Sequence, residues 1–172
     1  MKTLYIARHA KSSWDDVHVS DHDRTLILIG KRRTRKIARW LNEHDVLPDR
    51  IISSTAVRAY KTARLLAQGM GFPEKKIEKE AAFYNADPED IMEYLCTFPN
   101  TVDKVMVVGH NPTFTELVNL FLEEDKWIEN LPTSGVAAIR FETDKWDELD
   151  LAEHQVEFLI TPKMVNEENP DF

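Results

Sequence analysis

Apolar and polar positions along this chain follow two periods, and the period predicts which element each stretch forms. Leu4-Tyr5-Ile6-Ala7 is a short run without charge, as in a strand buried on both faces, and the loop Ala10-Lys11-Ser12-Ser13 follows it at once. Residues 10 to 25 are polar and end in Ser20-Asp21-His22-Asp23-Arg24-Thr25, a loop long enough to imply a functional role. Gly30, Thr34, Ile37, Ala38 and Leu41 share one helical face, which predicts a helix over about 27–44, ended by Val46-Leu47-Pro48-Asp49. Arg50-Ile51-Ile52-Ser53 reads as a second strand. Ala59, Ala63, Leu66, Ala67 and Met70 then define a helix starting near Ala56, with Gly69 and Gly71 marking its end.

Residues 72 to 86 read as irregular, with a short strand at Lys76-Ile77-Glu78. Asp87 fits an N-cap and Pro88 a first helical position, so a helix is expected to about Phe98 before Pro99-Asn100 turns the chain. Val105-Met106-Val107-Val108 is the clearest buried strand, and Gly109-His110-Asn111-Pro112 leads from it into a helix over Thr113 to Leu122. Leu131-Pro132-Thr133-Ser134-Gly135 introduces two runs, Val136 to Phe141 and Gln155 to Ile160, split by a polar segment with Trp146. These suit the antiparallel end of a mixed sheet. The acidic stretch from Pro162 to Phe172 is expected to lie on the surface, partly mobile.

A length of 172 residues suits one domain that buries about 70% of its unfolded surface. The expectation is therefore one domain over 1–172, with 163–172 as a surface tail. A net charge of -8 disfavours nucleic acid and anionic membrane as partners, so an anionic substrate must be drawn by local cations. The basic stretch Lys31-Arg32-Arg33-Thr34-Arg35-Lys36 falls mostly on the solvated side of the first helix. Charges at Lys2, Arg8, Lys11, Asp15 and Asp16 interrupt the first segment, and no run approaches membrane-spanning length; a cytoplasmic protein is expected. Cys96 stands alone in an apolar pattern, as a packed small hydrophobe rather than a disulfide or thiolate ligand. His18 and His22 have the spacing of helical metal ligands, but no helix signal surrounds them and no metal site is expected.

The candidate chemistry sits where strands stop. In an open α/β sheet, ligands collect beyond the carboxyl ends of the strands. Arg8 and His9 close the first strand, Arg58 lies just past the second, and His110 ends the strand at Val105–Val108. Two arginines with two histidines, and no metal-ligand cluster, suit a phosphoryl group. Guanidinium groups neutralise its oxygens while one imidazole attacks phosphorus.

The order of motifs resembles the histidine phosphatase superfamily, also called phosphoglycerate mutase-like, and in particular its small SixA-type phosphohistidine phosphatases. The residues that carry this are Leu4–Trp14 with Arg8-His9-Ala10, Asp23-Arg24-Thr25-Leu26 with Gly30, and Ser53–Ala59 with Thr62-Ala63. Val107–Pro112, Leu131–Gly135, Trp146 and Pro162-Lys163 complete the match. The resemblance implies a three-layer αβα sandwich with a mixed, mostly parallel sheet, and no required metal or other cofactor. It implies His9 as a transiently phosphorylated nucleophile, and Arg8, Arg58 and His110 as the phosphate pocket, with Arg24 reaching that pocket from the loop. Thr55 and Thr25 stand where the family usually has proline, and Ile27-Leu28 replaces a polar helix start.

Family members that act on phosphate esters generally carry an acidic residue near the pocket to protonate the leaving alkoxide. The corresponding stretch here is Glu80 to Asp87; Asp87 is accounted for as an N-cap, and Glu80 reads either as an exposed charge in a polar run or as a candidate general acid, a need that a phosphohistidine substrate reduces. The expected activity is a metal-independent phosphatase acting on protein phosphohistidine. Two alternatives are a phosphomonoesterase for a small phosphorylated metabolite and a non-catalytic phosphate-binding module.

Overall fold

Successive side chains of a strand point to opposite faces, and here both faces are apolar, so the sheet is buried between two layers. The computed structural model describes residues 1–168. Its strands are β1 (Lys2–Arg8), β2 (Arg50–Ser54), β3 (Glu78–Glu80), β4 (Lys104–Gly109), β5 (Val136–Phe141) and β6 (His154–Ile160). They form one sheet in the order β3-β2-β4-β1-β5-β6. β1, β2, β3 and β4 run parallel, β5 is antiparallel to β1, and β6 is antiparallel to β5.

The helices are α1 (Leu28–Glu43), α2 (Val57–Met70), α3 (Pro88–Leu95), α4 (Thr113–Asn119) and α5 (Pro162–Glu168). On one face, Leu4, Ile6, Val105, Val107, Ala137 and Ile139 pack against Ile91 and Leu95 of α3 and Phe114 and Leu117 of α4. On the other, Tyr5, Ala7, Met106, Val108 and Ala138 meet Ile37 and Leu41 of α1 and Ala59, Ala63 and Leu66 of α2. This alternation is the three-layer αβα sandwich that the family resemblance implies. Among the described residues, no helix is long and apolar enough to cross a membrane.

Several expectations are corrected. The short strand lies at Glu78–Glu80 rather than 76–78, because Glu74–Lys76 winds into a 3-10 turn first. α3 and α4 end early, at Leu95 and Asn119. The early end of α3 leaves Cys96 at its C-cap, exposed rather than packed, with Sγ donating to the Met92 carbonyl. The start of the expected tail is helix α5, anchored by buried Val165 in the α1–α2 layer; the rest of that expectation, residues 169–172, lies outside the described residues.

Two devices fix the two ends of β1, whose carboxyl end carries the site. Lys2 is fully buried, its ammonium donating to the carbonyls of Asn100 and Val102 and pairing with Asp103, which ties the start of β1 to the loop before β4. At the other end of β1, α1 lies against the loop after it at Gly30, where a Cβ would come within 2.4 Å of the Lys11 carbonyl oxygen. Gly30→Ala is therefore expected to destabilise the protein by about 1–3 kcal/mol, the usual cost of overpacking. Equilibrium urea unfolding checks it; an unchanged midpoint would mean that the Lys11 loop yields freely.

Candidate active site

Parallel pairing places Arg8 opposite Gly109, so the next residue of each strand leaves the sheet side by side. The His9 amide donates to the Gly109 carbonyl at 3.0 Å, and the His9 and His110 rings lie 5.2 Å apart between centroids. β2 ends one strand away at Ser54, and Arg58 follows in the first turn of α2. Arg8, His9, Arg24, Arg58 and His110, the pocket residues expected from sequence, therefore line one cleft of about 300 Å³, with Lys11, Ser12, Trp14, Asn111 and Thr133. Glu80 is not among the lining residues; its carboxylate accepts from the Ala82 amide and caps the 3-10 turn Ala81–Tyr84.

Each of the three arginines is held by oxygens of the protein. Arg8 donates through Nη1 to the Leu131 carbonyl at 2.9 Å and to Asn130. Arg58, 5% exposed, donates to the Asp21 carbonyl at 2.6 Å and to its carboxylate at 3.0 Å. Arg24 reaches the Asp21 carboxylate, Ser12 Oγ at 2.6 Å and the Ser13 carbonyl, while the exposed Trp14 ring stacks on its guanidinium at 3.4 Å. Asp21 also accepts from the Tyr84 hydroxyl. That hydrogen bond and the two arginines hold the Asp21 carboxyl down at about 2, so it is ionised at neutral pH.

Both imidazoles are buried beside these cations. Burial first, then Arg58, Arg8 and Arg24, lower the His9 pKa to about 4. Burial, His9 and Arg58 lower that of His110 to about 3. His9 Nδ1 lies 2.8 Å from the Ala10 carbonyl oxygen, which can only accept, so the ring proton is on Nδ1 and the lone pair on Nε2. His110 Nε2 lies 2.7 Å from Ser54 Oγ, which already accepts from the Ala56 amide. The Ser54 hydroxyl can donate to Nε2 when the proton of neutral His110 is on Nδ1, and can accept from Nε2–H in the other tautomer. His110 Nδ1, Arg8 Nε and Arg58 Nε are buried and have no partner within the protein.

Sequence reasoning missed Asp21, Ser54 and Tyr84. Asp21 stands three residues before Arg24, but Asp15, Asp16 and Asp23 in the same loop carry the same signal. Among the described residues, no group of three His, Cys, Asp or Glu side chains is placed to hold a metal ion. His18 is exposed, and His22 instead pairs with Thr55 Oγ1 at 2.9 Å, which docks the loop onto the start of α2.

The depressed histidine pKa values give a sign that can be checked. As pH falls below about 6.5, the unfolded chain binds protons that folded His9 and His110 refuse, so their contribution to stability is intact above 6.5 and is lost progressively toward about 4 and 3. An NMR titration of the six histidines is expected to find His9 and His110 neutral and flat between pH 5 and 8. A midpoint near 6.5 at either ring would contradict the cleft electrostatics.

Comparison with known proteins agrees with this geometry. A family model described as the histidine phosphatase superfamily, branch 1, matches residues 4–95. An uncharacterized protein of Mycobacterium tuberculosis is 32% identical over 141 residues, spanning 77% of this chain and 85% of the relative. A crystal structure from Agrobacterium tumefaciens, ascribed to a phosphohistidine phosphatase SixA, superimposes with a TM-score of 0.80 at 27% identity, over 94% of this chain and 98% of that one. A structure of the protein histidine phosphatase SixA complexed with tungstate shares the fold at 22% identity, with a TM-score of 0.79 and coverage of 95% and 99%. With a family model spanning more than half of its residues and two facing imidazoles among arginines at the strand ends, the chain belongs to the histidine phosphatase superfamily and stands with its SixA-like phosphatases.

Proposed function

We propose that this phosphatase removes phosphate from protein phosphohistidine through a phosphoenzyme on His9, without a metal ion, and that residues 1–172 act as one domain. The observation that carries the choice of substrate is the lining of the cleft, which offers four cationic side chains and no carboxyl group. A departing alkoxide needs a proton. Asp21, held ionised by Tyr84, Arg58 and Arg24, has none to give at neutral pH, and Glu80 is engaged as a cap. Phosphohistidine protonated on the second nitrogen of its ring needs no such donor, because the P–N electron pair then leaves on a neutral imidazole. The likeness to structures described as SixA phosphohistidine phosphatases supports the same class.

The steps follow from the tautomers. Neutral His9 attacks phosphorus in line through Nε2 as the bond from phosphorus to the substrate nitrogen breaks, and that electron pair stays with the departing ring. The new P–Nε2 bond makes His9 a phosphoimidazolium, whose positive charge strengthens the hydrogen bond from Nδ1 to the Ala10 carbonyl. Water then attacks phosphorus, the P–Nε2 pair returns to His9, and dihydrogen phosphate leaves with both protons of the water. Arg8, Arg24 and Arg58 neutralise the phosphoryl oxygens through these steps. The unpartnered atoms Arg8 Nε, Arg58 Nε and His110 Nδ1 belong to three of the residues around them.

Phosphate release from a phosphohistidine peptide tests the reading. His9→Ala is expected to lower turnover by roughly three orders of magnitude and to abolish labelling of the enzyme by a phosphodonor, and EDTA is expected to change nothing. Hydrolysis of alkyl phosphates as fast as the peptide, or rescue of an EDTA-inactivated enzyme by a divalent ion, would overturn it. Arg58→Ala is expected to cost about 1.5–3 kcal/mol in kcat/KM, as for a charge-assisted hydrogen bond to phosphate, whereas Arg32→Ala on the exposed side of α1 leaves turnover unchanged. Equal losses in steady-state kinetics would remove Arg58 from the pocket.

A further inference from the structure

The chain carries a net charge of -8, yet one surface groove gathers cations. Lys31 and Arg35, one turn apart on α1, share with Lys61 and Arg64 of α2 a groove of about 230 Å³ whose apolar wall is Leu26 and Leu65. Arg64 is paired with Glu74, and Lys61 donates to Thr25 Oγ1 at 2.7 Å. Lys31, Arg35 and Lys61 form no ion pair among the described residues. Mutually repelling cations without counter-charges do nothing for folding; they suit an anion from outside.

The groove adjoins the catalytic cleft. Ser12 lines the cleft, its partner in a β-bridge is Leu26, and Leu26 lines the groove. The linings of the two recesses therefore meet at a bridged pair of residues, Ser12 and Leu26, whose backbones lie one strand spacing apart, about 5 Å. Lys11, exposed at the cleft, adds a further cation beside that bridge. A polypeptide carrying its phosphohistidine into the cleft is long enough to continue across the bridge into the groove, as a small metabolite held in the cleft is not. The short groove, its leucine wall and the acidic remainder of the surface favour a protein segment over a nucleic acid, whose long phosphate backbone meets repulsion on either side.

We propose that the α1–α2 groove receives acidic residues flanking the phosphohistidine of a protein substrate, an assignment that rests on the phosphohistidine reading above. Bound there, the segment lowers KM and leaves the chemistry of the cleft untouched.

The test uses two phosphohistidine peptides of equal length, one flanked by Asp and Glu, the other by Ser and Gln, together with phosphoramidate. The wild type is expected to show a KM about tenfold lower for the acidic peptide, and the difference is expected to shrink as salt is raised. The double variant Lys31→Glu, Arg35→Glu is expected to erase the difference while keeping wild-type kinetics on phosphoramidate, which also shows that it is folded. Equal KM values for the two peptides on the wild type, or an advantage that survives in the variant, would overturn the groove assignment alone. An RNA oligonucleotide that inhibits the wild type but not the variant, below the KM of the acidic peptide, would reassign the groove to nucleic acid. Failure of both peptides alongside rapid hydrolysis of alkyl phosphates would overturn the phosphohistidine reading, and the groove assignment with it.

Discussion

The parallel register of β1 and β4 sets the distance on which the rest of the site depends. Because Arg8 pairs with Gly109, His9 and His110 emerge as neighbours, and the bond from the His9 amide to the Gly109 carbonyl fixes them there. Two imidazoles so close, buried beside guanidinium groups, cannot both be charged, and both pKa values fall well below the usual value. The geometry that brings the rings together thus also keeps His9 neutral, the form that carries a nucleophilic lone pair at physiological pH.

Holding buried cations near those rings requires counter-charge, and the fold supplies it from outside the cleft. Asp21 accepts from both Arg58 and Arg24, while Arg8 is oriented by a carbonyl and an amide. The guanidinium groups are therefore fixed before an anion arrives, and nothing of the opposite sign lines the place that a phosphoryl group would take. Such preorganisation is worth most in a site partly screened from water. The same constraint explains why Asp21 is a poor proton donor: the interactions that let it anchor arginines are the ones that keep it ionised.

Close packing of α1 on α2 links the two cationic regions. A Cβ on Gly69 would fall 2.4 Å from that of Ala38, so the helices nearly touch there. Toward the cleft, their facing cations line the groove beside Leu26. On α1 alone, Lys31 and Arg35 read as a solvated face; the second row, Lys61 and Arg64, is contributed by a separate element.

The sequence by itself determined the elements and the residues at the sheet rim. A strand buried on both faces must be apolar, so Leu4–Ala7 and Val105–Val108 were legible, and Arg8, His9 and His110 stood out by ending them. The inner face of α1, from Gly30 to Leu41, was legible from its period for the same reason. Only the tertiary structure decided which oxygen each arginine takes, that Glu80 caps a turn and lies outside the cleft lining, and that Asp21 rather than another loop aspartate holds Arg58 and Arg24. It also decided that Cys96 is exposed and that residues 162–168 are helical. The physical reason is one of range. Periodic burial is written in neighbouring residues, whereas the Arg58–Asp21 and His110–Ser54 contacts join positions far apart in the chain and exist only once the sheet has set their separation.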